Sequence, residues 1–395
     1  MDDFWLQGQE GIPNRMNVAM RERWGTYVQE SGISLRDMLK DHFATLKTRR
    51  VCFIAGQGFD PRMTQGIELV VGVAPKTDLE LIVLAFNEGP MSPSRKYDHL
   101  VKRNLQRLES LVSPSRTSTR SIEMFSSEQR RITARSAGSV FRTASEFKGF
   151  TDICLDISSL PRSVFFPLAA KILFLLDTWD GGPDRPNFFV LVSENAELDN
   201  AILEEGVDED ADYIHPFRGG AERESTAGNP KVWFPLLGEG QRVQLMRIHE
   251  LVNPDEICPL LPSPSMNPRR ADDLVTEYRQ LLFDRLRVET RNFIFASETN
   301  PFEVYRQLSR AILHYGNALE PLGGSSAIIS ATSSKLLSIG AVLAAYELKQ
   351  AGSNIAIAHI EAHGYALQSD QSTIEAMSNS STLHGLWLSG ECYAG

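Results

Sequence analysis

The stretch Met91-Ser-Pro-Ser-Arg-Lys-Tyr-Asp-His-Leu-Val101 returns later in the chain as Met266-Asn-Pro-Arg-Arg-Ala-Asp-Asp-Leu-Val275. The two copies share Met, Pro, Arg, Asp, Leu and Val in the same order. The distance along the chain between matching residues is almost the same at both ends of the stretch. A similarity that recurs at a fixed, wide spacing is typical of a duplicated structural unit. The chain therefore reads as two copies of one domain.

Three further pairs of segments keep the same order at similar spacing: Val51–Gly58 with Val232–Gly240, Asp152–Ser159 with Ser326–Ser333, and Asn187–Val192 with Asn354–His359. Small differences in spacing are what loop insertions produce. The alternative explanation is that any two α/β domains repeat strands and helices at similar intervals, whatever their origin.

Each copy alternates short apolar runs with helical patterns. The runs are nearly continuous and rich in β-branched and aromatic residues, which is typical of parallel strands buried on both faces. The predicted strands are 51–55, 79–86, 152–157 and 188–192, then 232–237, 256–261, 292–296, 327–330 and 354–359. The predicted helices are 63–72, 94–112, 127–143 and 163–176, then 241–251, 271–282, 301–314 and 335–349. We therefore predict an α/β fold of two tandem Rossmann-like parallel-sheet domains that arose by internal duplication.

The domain boundaries follow from the repeat and from charge. We expect a short helical N-terminal segment over 1–48, with helices at Met16–Gln29 and Ser34–Leu46, and a first Rossmann-like domain over 49–205. An acidic linker over 206–230 and a second Rossmann-like domain over 231–395 complete the chain. The linker includes Gly206–Gly228, which is rich in Asp, Glu and Gly, a composition typical of exposed connections.

Composition narrows the class of protein. The 395 residues carry a net charge of −10, which opposes delocalised binding to nucleic acid or to an anionic membrane. The four cysteines form no CxxC pair, and the two most apolar stretches, Val164–Trp179 and Ile328–Leu348, each contain charged residues, so we expect neither a disulfide framework nor a membrane segment and predict a cytoplasmic location. The basic stretch Arg95–Lys148 is either a solvated helical face or a surface that meets a nucleic acid or an acidic partner.

The first predicted domain offers two strand ends that could bind an anion. Carboxyl ends of parallel strands, followed by helix N-termini, place backbone N–H groups around a crevice. One strand end carries Gly56, Gln57, Gly58 and Arg62, and the next carries Ser158, Ser159 and Arg162. The glycines permit close approach of the backbone, and a guanidinium group suits phosphate or carboxylate. Neither strand end matches a complete dinucleotide fingerprint or P-loop.

The second predicted domain repeats these strand ends. Gly238 and Gly240 stand where the first copy has Gly56 and Gly58, and the turn Thr332-Ser333-Ser334-Lys335 stands where the first copy has Ser158 and Ser159. Hydroxyl groups and a cation at a helix N-terminus can bind an anion. Ser and Thr are also the usual N-caps of helices, so a purely capping role remains the alternative.

A resemblance to a known family rests on the segment Ile328-Ile-Ser-Ala-Thr-Ser-Ser-Lys-Leu-Leu-Ser-Ile-Gly340. A strand, a Ser/Thr-rich turn, a lysine and an apolar helix in this order resemble the ligand-binding turn of CARF-type Rossmann domains. That family senses cyclic oligonucleotides in prokaryotic antiviral systems. The resemblance implies that Thr332, Ser333, Ser334 and Lys335 contact a ligand. It covers one short segment, and the glycine pair that usually precedes the family's lysine is Ser333-Ser334 here.

Two groups of residues offer catalytic or metal chemistry. Asp60 and Asp156 follow neighbouring strands and would form a carboxylate pair if they converge, although Asp at such positions is also a turn former or cap. His359, Glu361 and His363 alternate along a predicted strand, so their side chains would share one face and could bind a divalent metal. A polar strand end that faces solvent is the alternative to the metal site.

The sequence therefore favours a phosphate-bearing small molecule, a nucleotide above all, as the ligand, and a sensor or scaffold in a prokaryotic defence or regulatory assembly as the function. One alternative is an enzyme that hydrolyses a nucleotide or its glycosidic bond. Another alternative is an interaction subunit that binds the protein partners of a multi-subunit complex through its charged segments.

Overall fold

The structure is a computed structural model that describes residues 22–45, 48–74, 77–89, 92–180, 182, 184–218 and 228–393. The chain forms two compact units. We call Tyr27–Val207 with Ala362–Gly395 the first unit, and Met1–Thr26 with Asp208–Glu361 the second unit. The chain therefore leaves the first unit after Val207 and returns to it at Ala362.

The secondary structure alternates strands and helices along most of the described chain. The strands are β1 (Val28–Ser31), β2 (Arg50–Gly56), β3 (Asp78–Asn87), β4 (Thr117–Glu123), β5 (Asp152–Asp156), β6 (Asn187–Glu194), β7 (Ile202–Glu204), β8 (Asp212–Tyr213), β9 (Lys231–Leu236), β10 (Glu256–Ile257), β11 (Leu260–Pro262), β12 (Ile294–Ala296), β13 (Ser326–Ala331), β14 (Ile355–His359), β15 (Tyr365–Leu367) and β16 (Thr382–Ser389). The helices are α1 (Gly32–Ala44), α2 (Gln65–Val73), α3 (Asp98–Leu111), α4 (Thr133–Gly138), α5 (Arg162–Asp177), α6 (Ala196–Ala201), α7 (Arg242–Val252), α8 (Arg270–Glu277), α9 (Pro301–Ala318), α10 (Lys335–Gln350) and α11 (Gln371–Asn379).

The first unit is built on a seven-stranded sheet in the order β1-β16-β6-β5-β2-β3-β4. The strands from β6 to β4 are parallel, whereas β16 runs antiparallel to β6 and β1 antiparallel to β16. If β2 is counted as the first parallel strand, the order read from β4 is 3-2-1-4-5. This is the order of a doubly wound sheet without its sixth strand, and the order of the strands reverses between β2 and β5.

The second unit repeats that strand order. Its sheet runs β12-β11-β9-β13-β14-β8, and counting from β9, with the short β10 paired beside it, the parallel strands again read 3-2-1-4-5. The antiparallel β8 extends the sheet next to the fifth parallel strand, as β16 does in the first unit. The predicted fold class is confirmed: the protein is α/β with two mostly parallel Rossmann-like sheets, and the repeated segments lie on equivalent strands.

Burial explains why the strands read as continuous apolar runs. Every residue of β5 and of β13 is buried, because helices cover both faces of each sheet. The crossover helices α5 and α10 are themselves buried along most of their length. A helix that is apolar on nearly every side is typical of the interior of a layered α/β unit.

The structure also corrects several boundaries. Residues 362–395, which we expected in the second domain, belong to the first unit because β16 pairs with β6 along its whole length. Part of the expected N-terminal helical segment is the edge strand β1, which pairs with β16. Of the predicted helix Met16–Gln29, residues 16–21 lie outside the described residues, and the rest forms a turn and the start of β1. The predicted helix 127–143 shrinks to α4, since Phe125 bridges to Arg131 before it.

Among the described residues, we find no helix that is both long enough and apolar enough to cross a bilayer.

Candidate functional site

The loop after β2 lies against the loop after β5 in the first unit. A Cβ atom on Gly56 would lie 2.4 Å from Cδ2 of Leu160, and Ser159 Oγ donates a hydrogen bond of 2.9 Å to the Gly56 carbonyl. Gly58 lies beside Ser159 as well. The glycines therefore allow two loops of the protein to approach each other at the strand ends. Gln57 continues the sheet, since its N–H donates to Leu84.

Arg62 is a structural cation of the first unit. Its side chain is 4% exposed and forms ion pairs of 2.7 Å with both Asp60 and Asp199. Burial disfavours the charged guanidinium, but the two carboxylates outweigh that effect and raise the pKa of Arg62. We expected Arg62 to bind a ligand anion; the structure instead uses its guanidinium to join the loop after β2 to α6, because two carboxylates already fill its donors.

The two predicted catalytic carboxylates also have local structural roles. Asp60 caps the turn Pro61–Thr64 by accepting a hydrogen bond from the Arg62 N–H, in addition to its ion pair with Arg62. Asp156 Oδ1 accepts from the Ser158 N–H at 2.8 Å, and Ser158 Oγ in turn accepts from the Ser193 N–H. Both aspartates thus behave as the turn formers and caps that Asp usually provides after a strand. Arg162 begins α5 next to this turn.

The equivalent turn of the second unit has the same internal contacts. A Cβ atom on Gly238 would lie 2.3 Å from the Thr332 carbonyl oxygen, so this loop too approaches the loop after the fourth strand. Thr332 Oγ1 donates to the Leu236 carbonyl at 2.8 Å, and Ser334 Oγ caps α10 by accepting from Leu337. Thr332 and Ser333 are buried. The hydroxyls of Thr332 and Ser334 are therefore used within the fold, ahead of Lys335 at the start of α10.

Ion pairs cross-link the strand ends of the second unit. The Arg270 guanidinium binds Glu239, from the loop after β9, and Glu298, from the loop after β12. These two carboxylates raise the pKa of Arg270 despite its burial. The Gly240 N–H donates to Glu277 at 2.8 Å, and Tyr278 donates to the Gly238 carbonyl at 2.6 Å. Side chains of the protein thus occupy the N–H and carbonyl groups around Gly238 and Gly240 that we expected to face a ligand.

The predicted metal site loses its geometric basis. Strand β14 ends at His359, so the alternation that would place Glu361 and His363 on the same face does not continue. His359 and Glu361 belong to the second unit, whereas His363 belongs to the first. Within the described part of the chain, no three His, Cys, Asp or Glu side chains are grouped in a way that could hold a metal ion.

A small substructure lies at the carboxyl edge of the first sheet. Helices α6 and α11 and the two-stranded sheet of β7 and β15 form it, and we call these four elements the cap. Leu198, Ala201 and Ile374 form its small apolar core, apart from the main core of the first unit. The cap combines residues from before and after the second unit in the sequence, so it was not predicted.

A cavity of about 390 Å³ lies between the cap and this edge of the sheet. The turn after β2 and the helices α2 and α3 supply one wall, and α11 with the residues after it supplies the other. The lining residues are Pro61, Thr64, Gln65, Glu68, Arg103, Asn104 and Arg107 on the sheet side, and Glu375, Ser378, Asn379 and Ser381 on the cap side. The volume falls in the range of small-molecule sites, which is roughly 300–1,000 Å³.

Arginine side chains give the cavity its charge pattern. Arg103 and Arg107 are one helical turn apart on α3 and therefore share one face of the helix. Arg107 binds Glu68 at 2.5 Å, and Arg103 binds Glu375 on α11. Hydrogen bonds from Gln371 and Arg103 lower the pKa of Glu375, which keeps that carboxylate charged. The cavity thus contains two guanidinium groups whose present partners are carboxylates.

Polar residues between the arginines connect the cavity to the predicted loop. The buried Asn104 donates to the carbonyls of Gly58 and Asp60, at 3.1 and 3.3 Å. Gln65 accepts from Ser193 Oγ and donates to the Ser378 carbonyl at 2.6 Å. The loop Gly56–Arg62 therefore packs against residues of the cavity wall, and it lines the cavity itself only at Pro61.

The sequence contained one usable signal for this site. Arg103 and Arg107 lie within the basic stretch Arg95–Lys148, four residues apart and on the polar side of an amphipathic helix. That spacing is enough to predict a pair of cations on one face. Glu375 and Ser378 follow the second unit in the sequence, and no local pattern links them to α3.

The chain was compared with known families, curated proteins and solved structures. No protein-family model and no curated protein matches it. Among solved structures, it is similar to a universal stress protein from Pseudomonas aeruginosa UCBPP-PA14, with 10% sequence identity and a TM-score of 0.24 over 87% of this chain and 98% of that chain. A similarity at this TM-score supports no conclusion about fold, ligand or family.

Proposed function

We propose that the protein binds a small phosphate-bearing ligand, a nucleotide, in the cavity between the cap and the carboxyl edge of the first sheet. One observation carries the proposal: Arg103 and Arg107 point two guanidinium groups into a cavity of about 390 Å³ at that edge. In open α/β sheets, ligands bind outside the carboxyl ends of the strands. Guanidinium groups match the geometry of phosphate oxygens through paired hydrogen bonds.

The charges of the cavity are compatible with exchange of one anion for another. The side chains of Arg103 and Glu375 are 40% and 42% exposed, and those of Arg107 and Glu68 are 61% and 29% exposed. Ion pairs at such exposure contribute only about 0–1 kcal/mol to stability. A phosphate group that carries more charge than a carboxylate can therefore compete for the arginines at small cost. By contrast, Arg62 and Arg270 are too buried and too strongly paired to exchange partners easily.

The remaining groups of the cavity suit a ligand with a polar body. Asn379 offers an amide, and Thr64, Ser378 and Ser381 offer hydroxyl oxygens that can accept a further hydrogen bond, whereas the amides of Gln65 and Asn104 support the cavity wall. Such groups can donate to or accept from the edges of a base or the hydroxyls of a ribose. The proposal therefore extends from phosphate to a nucleotide.

Two finer parts of the proposal concern biological context. We propose a sensor or scaffold role in a prokaryotic defence or regulatory assembly, in the cytoplasm and with protein partners. Its support is the resemblance of Ile328–Gly340 to the CARF-type turn, as an indication of the type of domain and not of where the ligand binds, together with the proposed cavity bounded by a separate cap.

Isothermal titration calorimetry tests the proposal directly. The full chain is titrated with AMP, ATP and cyclic di-AMP, and so is the double variant Arg103→Gln/Arg107→Gln. We expect saturable binding of at least one nucleotide to the native protein and a loss of about tenfold or more in the variant, since each lost charge-assisted contact costs about 1.5–3 kcal/mol. Arg142→Gln, an exposed arginine of the first unit outside the cavity, is the control. Equal binding by the native protein and the double variant would refute the proposed site.

A further inference from the structure

We infer that the cap is a ligand-operated element: an anionic group of the ligand replaces Glu375 on Arg103 and thereby changes how α11 is held. This inference rests on the proposed function, because it assumes that the cavity binds a phosphate-bearing ligand. It adds a regulatory role to the same site. The argument depends on how the cap is attached, how small its core is, and where the chain leaves it.

The α6 side of the cap is firmly attached to the sheet. Asp199 on α6 binds the buried guanidinium of Arg62 at 2.7 Å. The Tyr97 hydroxyl accepts a hydrogen bond from the Leu367 N–H at 2.7 Å, and Ser94 Oγ accepts from the Tyr365 N–H. Gly364 packs closely against Pro93, where a Cβ atom would lie 2.8 Å from the proline ring. The repeated motif around residues 92–97 thus supports β15 and fixes this side of the cap.

The α11 side of the cap is attached through the cavity itself. The ion pair between Glu375 and Arg103 joins the outer face of α11 to α3, and Gln65 donates to Ser378 near the end of α11. Both partners of the ion pair are about two-fifths exposed, so solvent screens it and a competing anion can reach it. A phosphate group that binds Nη1 of Arg103 takes the place of Glu375, because that nitrogen is the one in the ion pair. Ligand binding and the α3–α11 ion pair are therefore alternatives at one guanidinium group.

The core of the cap is too small to hold α11 rigidly by itself. Ile374 of α11 packs with Leu198 and Ala201 of α6, and the partly buried Ile202, Leu367 and Met377 surround them. Regions with few buried apolar contacts open locally at low free energy, well below that of global unfolding. We therefore expect the orientation of α11 to respond to the loss of a surface contact that would leave a helix of the main core unaffected.

The cap also stands where the chain passes between the two units. Strand β7 ends at Glu204, three residues before the chain leaves the first unit, and β15 begins at Tyr365, three residues after the chain returns. The two connecting segments pair with each other, through Glu204 with Tyr365 and through the bridge of Val207 with Ala362. Helix α11, which begins four residues after β15 ends, therefore lies close along the chain to the segments that connect the units, which is a suitable position for a sensor element.

Hydrogen–deuterium exchange combined with calorimetry tests this inference. The probe is whichever of ATP, AMP and cyclic di-AMP binds the native protein most tightly. We expect the probe to change the exchange of the α11 amides by about threefold or more, and to change those of α5 much less. In Glu375→Gln without probe, α11 should exchange faster than in the native protein. The same variant should bind the probe about twofold to fivefold more tightly, because an exposed internal competitor has been removed.

The control and the outcomes separate this inference from the proposed function. Glu197→Gln removes an exposed carboxylate of the cap that lies outside the cavity, and it should alter neither exchange nor affinity. If no nucleotide binds either the native protein or Glu375→Gln, the proposed function fails, and this inference fails with it. If a nucleotide binds but α11 exchange is unchanged, or if Glu375→Gln binds it more weakly, this inference alone is overturned.

Discussion

The two units share a strand order and use the carboxyl edges of their sheets differently. In the first unit, a cap with its own small core stands over the edge and leaves a polar cavity that contains Arg103. In the second unit, Arg270 joins the loops after β9 and β12 through Glu239 and Glu298. The arginine of the repeated motif is thus a mostly buried cross-link between loops in the second unit. Two sheets with the same topology can therefore differ in what their edges bind, because the side chains on the loops determine whether a cavity is present there.

The amino edges of the two sheets show what the repeat preserves. Asn187 of the first unit donates to Asp152, and at the equivalent positions of the second unit Asn354 donates to Ser326. In the first unit this contact belongs to a buried ionic network, because Asp152 also binds His42 at 2.6 Å and Arg49 at 3.2 Å. Both units thus have a hydrogen bond between the same two strand starts, but the acceptor is the charged Asp152 in the first unit and the neutral Ser326 in the second. Substitutions at these two positions therefore compare the two units directly.

The largest expected effect is that of Asp152→Asn. The change leaves Arg49, 1% exposed, with the half-exposed Glu391 as its acidic partner in the network. Removing one member of a buried ion pair costs about 3–5 kcal/mol of stability. The matched change in the second unit, Ser326→Ala, removes a neutral hydrogen bond and should cost about 1 kcal/mol. Urea denaturation gives both values, and equal losses in the two variants would contradict the comparison.

The same network predicts a dependence on pH. Burial opposes the charged form of Asp152, but His42, Thr151 and Arg49 hold its pKa below the ordinary value of 3.8. A carboxylate whose pKa is lowered by folding stabilises the protein above its unfolded pKa, and that stabilisation is lost as the pH falls. The difference in stability between the native protein and Asp152→Asn should therefore be constant near neutral pH and shrink below about pH 4. A difference that grows on acidification would be inconsistent with this assignment.

Paired glycines provide the next test of the comparison. In Gly238→Ala the new Cβ atom would lie 2.3 Å from a backbone oxygen of Thr332, which cannot turn aside. In Gly56→Ala the nearest atom is the end of the Leu160 side chain, which can move. Overpacking costs about 1–3 kcal/mol, so we expect Gly238→Ala near the upper limit and Gly56→Ala near the lower one. Thermal denaturation of both variants shows which of them loses more stability.

Helical glycines with open space serve as controls for that pair. Nothing lies within 4 Å of a Cβ atom at Gly72 of α2 or at Gly316 of α9. Alanine at either position should stabilise its unit by about 0.5–1 kcal/mol, since glycine is the poorer helix former. If Gly56→Ala or Gly238→Ala behaved like these controls, the close approach of the two loops would be wrong.

A comparison of the two arginines includes the smallest expected loss of stability, that of Arg103→Gln. Arg270→Gln removes a guanidinium that is 13% exposed and binds two carboxylates, and it should cost about 1.5–3 kcal/mol. Arg103→Gln removes a guanidinium that is 40% exposed, and it should cost less than about 1 kcal/mol. Urea denaturation distinguishes the two. A large loss of stability in Arg103→Gln would show that this residue is structural and is not reserved for a ligand.

Much of the fold could be predicted from the sequence because its strands and crossover helices are buried. Runs such as 51–55 and 327–330 are recognisable as buried strands because they are continuously apolar, and the repeat then indicates that the same alternation of strands and helices occurs twice. The strands β1, β4 and β16 were missed, since β1 and β4 contain few apolar residues and β16 mixes polar with apolar ones, so none of them shows the continuous apolar run of the buried parallel strands. The strand β16 is recognisable only through its partner β6, far away along the chain.

The candidate site was less predictable than the fold, and for a physical reason. The strand ends carry Gly56, Gly238, Thr332 and Ser334 as expected. The glycines, however, allow close packing between loops, and the hydroxyl groups form hydrogen bonds within the fold. Arg62 is at the right edge, but Asp60 and Asp199 already bind its guanidinium. The cavity instead depends on long-range pairing between α3 and α11, which local patterns do not encode.

The most direct test of the account is a crystal structure of the protein grown with the nucleotide that binds most tightly in calorimetry. The account predicts phosphate oxygens within hydrogen-bond distance of Arg103 and Arg107, with Glu375 displaced from Arg103. Phosphate bound instead at the turn Thr332–Lys335 of the second unit, with the ion pair between Arg103 and Glu375 intact, would contradict it.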